Sequence, residues 1–127
     1  MSHILVVDDS PSQREMISSL LKSSGIVVTE ASNGEEALKA LLNSSDDKLP
    51  LPDLVITDIV MPRMNGYEFC RKLKNTPATE HIPVLMCTSK GEEFDRYWGM
   101  KQGADAYIAK PFKPNELSKT VKQLLSG

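Results

Sequence analysis

The chain has 127 residues, a formal net charge of −2, 40% hydrophobic residues and 25% charged ones. This is enough for one ordinary globular domain with a real core, and too close to electrical balance to favour nucleic acid or anionic lipid as a bulk partner. No stretch approaches the ~20 apolar residues that cross a bilayer, so no membrane insertion is expected.

The N-terminal run Ile4-Leu5-Val6-Val7 meets Asp8-Asp9 after four apolar residues, too short for the core of a secretory leader. Near-continuous apolar runs of this kind suit strands covered on both faces, as in a parallel sheet. Ser10-Pro11-Ser12 then offers a cap and a proline for a first helix carrying Met16, Ile17, Leu20 and Leu21 at helical spacing. Gly25 suits the left-handed turn that closes it. A second strand is expected over Ile26–Glu30, and a second helix from about Asn33-Gly34 through Ala37, Leu38, Leu41 and Leu42. The stretch from Asn43 to Pro52 is polar and then broken by prolines, so it reads as an exposed loop rather than a domain boundary.

The alternation continues to the C-terminus. Strands are expected at Leu54–Thr57, Val84–Thr88 and Ala106–Ile108, with helices over about Gly66 to Asn75, about Glu92 to Gln102, and after Pro114. Five strands and five helices in strict alternation predict a single α/β domain over residues 1–127, a doubly wound parallel sheet with right-handed crossovers. No output domain is expected. Cys70 and Cys87 have no paired metal spacing and read as reduced core or semi-buried thiols, which points to the cytoplasm.

In an open parallel sheet, ligands bind beyond the carboxyl ends of the strands. Asp8 and Asp9 end the first strand, Asp58 the third and Thr88 the fourth, and Lys110 follows the fifth. One aspartate at a strand end is usually a cap or turn residue. Strand ends in agreement are less ordinary, even with Thr57 as a partial exception. Clustered carboxylates repel, and a hard cation such as Mg²⁺ relieves that cost through oxygen ligands. With a lysine and a hydroxyl opposite, the set has the parts of a phosphoryl-transfer site with a carboxylate nucleophile.

At this point the residues resemble the receiver domains of bacterial two-component response regulators. The resemblance rests on Val6-Val7-Asp8-Asp9-Ser10, the run from Asp58 to Gly66, Thr88-Ser89-Lys90, and the run from Gly103 to Phe112. It covers nearly the whole chain. It implies a flavodoxin-like sheet of order 2-1-3-4-5 and Asp58 as phosphoacceptor from a histidine kinase or phosphotransfer protein. It also implies Mg²⁺ (or Mn²⁺) held by Asp9 and Asp58, by Asp8 mainly through water, and by the backbone carbonyl of Val60. Lys110 would pair with the phosphoryl group, with a cis peptide before Pro111. Thr88 would hydrogen-bond a phosphoryl oxygen, and Tyr107 matches a switch aromatic that turns inward behind it. For Tyr107 the alternative is an exposed strand tyrosine.

The responding surface would comprise the fourth helix, fifth strand and fifth helix. Phe94, Tyr97 and Trp98 fall at i, i+3 and i+4 on that fourth helix. Aromatics so spaced commonly line a core, but three on one short helix can also leave an anchor for a protein partner. They are the expected partner contacts. The run from Phe94 to Asp105 also resembles single-domain regulators of type IV pilus and chemotaxis-like motility systems. Among departures, Asn65 stands where the family often has aspartate, and Ser89 where a small apolar residue is common. Val60 and Lys90 occupy positions that modulate dephosphorylation in the family. A valine cannot orient a hydrolytic water, so slow loss of phosphate is expected.

Three other readings stand beside this one. An aspartyl-nucleophile phosphatase or phosphotransferase would want a second acid two residues after Asp58, where Val60 cannot transfer protons; turnover of an external substrate is not expected. A binding module that lost phosphorylation finds no support in a complete set of five polar groups. A flavin or nucleotide binder would want a Gly-rich phosphate loop, whereas the loop after the first strand is acidic. The chain is expected to be monomeric or weakly associating.

Overall fold

Strand alternation sorts the apolar side chains onto two faces, and helices cover both. The computed structural model describes residues 2–42 and 51–126. In chain order it contains β1 (His3–Val7), α1 (Pro11–Lys22), β2 (Val27–Ala31), α2 (Gly34–Leu42), β3 (Leu54–Thr57), α3 (Gly66–Lys74), β4 (Val84–Thr88), α4 (Glu93–Lys101), β5 (Ala106–Ala109) and α5 (Pro114–Ser126). The five strands form one parallel sheet in the order β2-β1-β3-β4-β5. The expected fold class and strand order are therefore correct.

Because successive strand residues point to opposite faces, each strand feeds two cores. Leu5, Val7, Val55, Val84, Met86 and Tyr107 pack with Ala37 and Leu41 of α2 and with Phe69, Cys70 and Leu73 of α3. Ile4, Val6, Leu54, Ile56, Leu85, Cys87 and Ile108 pack on the other face with Ile17 and Leu21 of α1 and Leu117 and Val121 of α5. Both cysteines are free and buried. Burial pushes both thiols up to about 12.

Boundaries differ from the sequence reading by a residue or two. β2 runs one residue later than expected, because Val27 N–H pairs with Ser2 C=O and Ala31 closes the register opposite Val7. β5 extends to Ala109, which pairs with Thr88. Gly25 adopts φ 81°, as the closing turn requires. Of the expected loop from Asn43 to Pro52, residues 43–50 lie outside the described residues; Leu51 packs against the α2–α3 face and Pro52 is buried. Among the described residues, no helix is long and apolar enough to cross a membrane.

Candidate phosphoryl-transfer site

The backbone delivers the acidic residues to one edge. Asp8 N–H donates to Ala31 C=O at 3.2 Å and Asp58 N–H to Val7 C=O at 3.0 Å, extending the ladder just past the strand ends. Asp8 is buried, Asp58 half-buried and Asp9 exposed. An oxygen from each lies within 4.8 Å of the others. The Lys110 ammonium donates to Asp8 Oδ2 at 2.7 Å and reaches Asp58 Oδ2 at 3.5 Å. Burial pulls the Lys110 pKa down, but its hydrogen bond to Asp8 and the charges of Asp58 and Asp8 more than offset this, so the net direction is upward. Lys110 is thus a fixed cation and three donors of hydrogen bonds.

Other bonds hold these groups in place. The second Asp8 oxygen accepts from Ser10 N–H at 2.9 Å, and Asp58 Oδ1 accepts from Ile59 N–H at 2.6 Å. Lys110 N–H donates to Thr88 C=O at 2.7 Å, tying the lysine to β4, and the Lys110-Pro111 peptide is cis. Thr88 is fully buried, and its hydroxyl oxygen accepts from Lys90 N–H at 3.3 Å, leaving the hydroxyl proton to be donated elsewhere. The loop after Asp58 is folded tightly back. Gly66 N–H donates to Ile59 C=O at 2.8 Å, and a Cβ on Gly66 would lie 2.1 Å from the Asp58 carbonyl oxygen. Only glycine fits there. Asn65 caps α3 by accepting from Glu68 N–H at 2.9 Å, work that an aspartate would do equally.

A cleft of about 490 Å³ opens over Asp8, Asp9, Asp58 and Lys110. Its lining includes Ser89, Met16 and Phe112, of which Ser89 and Met16 carried no functional expectation. Arg14, also unforeseen, donates from Nη1 to the Asp8 carbonyl at 2.8 Å and pairs with Glu30 at 3.0 Å. Nothing in its sequence surroundings marks that role. Val60 is exposed two residues past Asp58. Tyr107 is 8% exposed and its hydroxyl donates to Lys90 C=O, so it is not an exposed strand tyrosine. Phe94, Tyr97 and Trp98 are 73%, 57% and 44% exposed, which places all three on the surface of α4 rather than in the core.

A parallel sheet of this order, carrying an acidic pocket and a lysine at its carboxyl edge, is the arrangement of a receiver-type α/β domain. The chain belongs to the response regulator receiver domain family, whose pattern matches residues 4–122. Over its full length and that of the relative, it is 39% identical to protein PilH of Pseudomonas aeruginosa. It is 36% identical to a response regulator structure from Chloroflexus aurantiacus, with a TM-score of 0.91 and coverage of 99% and 98% of the two chains. The chemotaxis protein CheY4 of Vibrio cholerae is 34% identical, with a TM-score of 0.87 over 98% of this chain and 99% of that one. The receiver domain of sensor histidine kinase PA1611 from Pseudomonas aeruginosa, 25% identical with a TM-score of 0.83 over 99% and 98%, holds a magnesium ion in its active-site cleft. Receiver domains act as signalling regulators rather than metabolic enzymes, are phosphorylated by histidine kinases, and bind Mg²⁺ in the acidic pocket. Here the donors Asp8, Asp9 and Asp58 are hard carboxylate oxygens close enough together to hold such an ion.

Proposed function

We propose that the chain works as a single-domain response regulator, residues 1–127, that accepts a phosphoryl group on Asp58 and signals through a phosphorylation-dependent protein contact. The observation that carries this reading is the convergence of Asp8, Asp9 and Asp58 within 4.8 Å, with Lys110 hydrogen-bonded across them. The Asp58 carboxylate is the nucleophile. One of its oxygens attacks phosphorus of the donor phosphohistidine or acyl phosphate, the bond to the donor breaks, and an acyl phosphate remains on Asp58.

Mg²⁺ (or Mn²⁺), when bound by Asp8, Asp9, Asp58 and the Val60 carbonyl, supplies charge neutralisation for the transferring group. Lys110, held by Asp8, stabilises phosphoryl oxygens from the opposite side. Thr88 donates its hydroxyl proton to a phosphoryl oxygen. That movement changes the space in front of Tyr107, and the α4–β5–α5 face responds. Phe94, Tyr97 and Trp98 form the apolar part of the partner contact there.

The upstream partner is a histidine kinase or phosphotransfer protein, and the setting is cytoplasmic, in motility or chemotaxis-like control. Supporting this are the full-length similarity to PilH, the likeness to CheY4, and the α4 sequence itself. The chain catalyses its own phosphoryl transfer and loss, with no external substrate turned over. No nucleic-acid partner is involved, and the protein is a monomer or weak dimer. Val60 offers no hydrogen bond to a hydrolytic water, so the phosphoryl group outlasts a timescale of minutes.

The test is to incubate the protein with Mg²⁺ and acetyl phosphate and weigh it intact beside Asp58→Asn. One added phosphoryl group, absent from the variant and without Mg²⁺, is the expected result. No adduct on wild type, with Mg²⁺ binding shown separately and rapid hydrolysis excluded by trapping, would sink the reading in favour of a phosphorylation-independent binding module.

A further inference from the structure

Tyr67 stands outside the machinery described so far. It occupies the first turn of α3, with its ring partly buried against the α2–α3 core. Its hydroxyl crosses to α4 and donates to the Asp95 backbone carbonyl at 3.2 Å. Burial, and then the Asp95 carboxylate, raise its pKa, so the phenol stays a protonated donor at physiological pH.

Polar contacts do much of the work of seating α4. Gly99 is the one buried residue of that helix. At its N-terminal end, Tyr107 O–H donates to Lys90 C=O, the Arg96 guanidinium lies 5.5 Å from the Tyr107 ring centroid, and Lys90 Nζ is 4.0 Å from the Asp95 carboxylate. Tyr107 and Tyr67 therefore grip the same stretch from β5 and from α3.

The other end of the Tyr67 link is the phosphoacceptor. Gly66, its immediate neighbour, packs its backbone against the Asp58 carbonyl so closely that a Cβ would fall 2.1 Å from that oxygen. A shift of the Asp58 backbone therefore bears on α3 one residue from the tyrosine that holds α4.

We propose that Tyr67 is a positioning residue that couples the Asp58 loop to α4 through its hydrogen bond to the Asp95 carbonyl, in addition to Thr88 and Tyr107. This rests on the reading of Asp58 as phosphoacceptor and α4 as the responding helix. The coupling lies in the hydroxyl, because Tyr67→Phe keeps the ring and its packing while removing the hydroxyl's hydrogen bonding to Asp95 of α4.

Trp98 is the sole tryptophan and sits 44% exposed on α4, so its fluorescence reports that helix. Full-length wild type and Tyr67→Phe are titrated with acetyl phosphate and Mg²⁺, and phosphoryl occupancy is read by intact mass alongside fluorescence. The expected result is equal occupancy with the Trp98 change per phosphoryl group reduced at least about two-fold in the variant. A response per phosphoryl group equal to wild type overturns the inference, even if Tyr67→Phe melts at a lower temperature, since a merely structural tyrosine would behave that way. Amide hydrogen exchange on the unmodified proteins gives a second check. Exchange in the first turn of α4 is expected to quicken in Tyr67→Phe while α5 stays unchanged, and no change in α4 overturns the inference. If wild type takes up no phosphoryl group, the Asp58 reading has failed and the inference falls with it. If it takes one and Trp98 stays silent, the reading of α4 as responder has failed instead, and the inference falls for that reason.

Discussion

The helices α3 and α4 have nine residues each and cover the same face of the sheet, yet they are held in opposite ways. α3 buries Gly66, Phe69, Cys70 and Leu73 and is capped by the Asn65 side chain; α4 buries Gly99 alone, and Glu92 at its cap position makes no side-chain cap bond. Of the α3 aromatics, Phe69 is fully enclosed and Tyr67 partly buried, while those of α4 face outward. Apolar packing fixes a helix in one place, because any displacement opens a cavity. Hydrogen bonds and a stacked guanidinium can be exchanged for others at small cost, and mobile elements are drawn from the weakly packed end of a structure. α3 thus suits the task of holding the Asp58 loop still, and α4 that of moving.

The sharpest way to break this contrast is to remove one aromatic from α3. Phe69→Ala is expected to lower stability by about 3–5 kcal/mol, the cost of a fully buried Phe and the cavity left behind. Urea unfolding followed by circular dichroism measures it. A loss under about 1 kcal/mol would mean that α3 is no better seated than α4.

Next in size is a pair of glycines. At Gly66 an added methyl meets the Asp58 carbonyl oxygen at 2.1 Å and the Ile59 Cα at 2.8 Å, both backbone atoms that cannot step aside. Gly66→Ala should cost about 2–3 kcal/mol and misplace Asp58, the proposed phosphoacceptor, cutting phosphorylation by acetyl phosphate. At Gly99 the same methyl meets the Met86 sulfur at 2.7 Å, the adaptable part of a flexible side chain. There the clash is opposed by the ~1 kcal/mol that alanine contributes over glycine within a helix, so Gly99→Ala should leave stability within about 1 kcal/mol of wild type. Equal effects at the two sites would erase the distinction.

Cys70 gives α3 a pH dependence of its own. Burial pushes its thiol up to about 12 from 9.0, with Lys74 partly opposing and Asp105 assisting. The folded state therefore holds the proton more tightly than the unfolded chain. The resulting stabilisation is present in full below about pH 9 and is lost as pH rises toward 12. Wild type should thus lose its advantage over Cys70→Ala as pH rises from about 9 toward about 12, seen as a narrowing gap between their urea midpoints. A gap independent of pH would mean that water reaches the sulfur.

Much of this arrangement could be read from the chain because the strands are short, apolar and stopped by polar residues. Leu54–Thr57 and Val84–Thr88 coincide with the observed strands, and runs so apolar have no other place than a sheet covered on both faces. The edge placement of Asp8, Asp58 and Lys110 follows from that alone. What could not be read was orientation on α4. Spacing puts Phe94, Tyr97 and Trp98 on one side of a helix but does not say whether that side meets the sheet. Gly99 decides it, since the close approach to Met86 and Tyr107 brings the glycine face inward and leaves the aromatics out. Tyr67 and Arg14 were silent for a related reason. Each reaches a backbone carbonyl, of Asp95 and of Asp8, and a carbonyl leaves no mark in a sequence.

The smallest expected effect on stability completes the contrast at its other end. Phe94 is 73% exposed, so it hides little apolar surface and leaves no cavity when truncated. Phe94→Ala should change stability by no more than about 0.5 kcal/mol, against the several kcal/mol expected for the same substitution at Phe69. An aromatic that contributes nothing to the fold is free to serve an interface, where such residues often cost more than 1 kcal/mol when truncated. The variant should therefore accept a phosphoryl group on Asp58 like wild type, with the mass shift unaltered. A stability loss approaching that of Phe69→Ala would show that α4 packs its aromatics after all, and would remove the physical basis for assigning it the moving part.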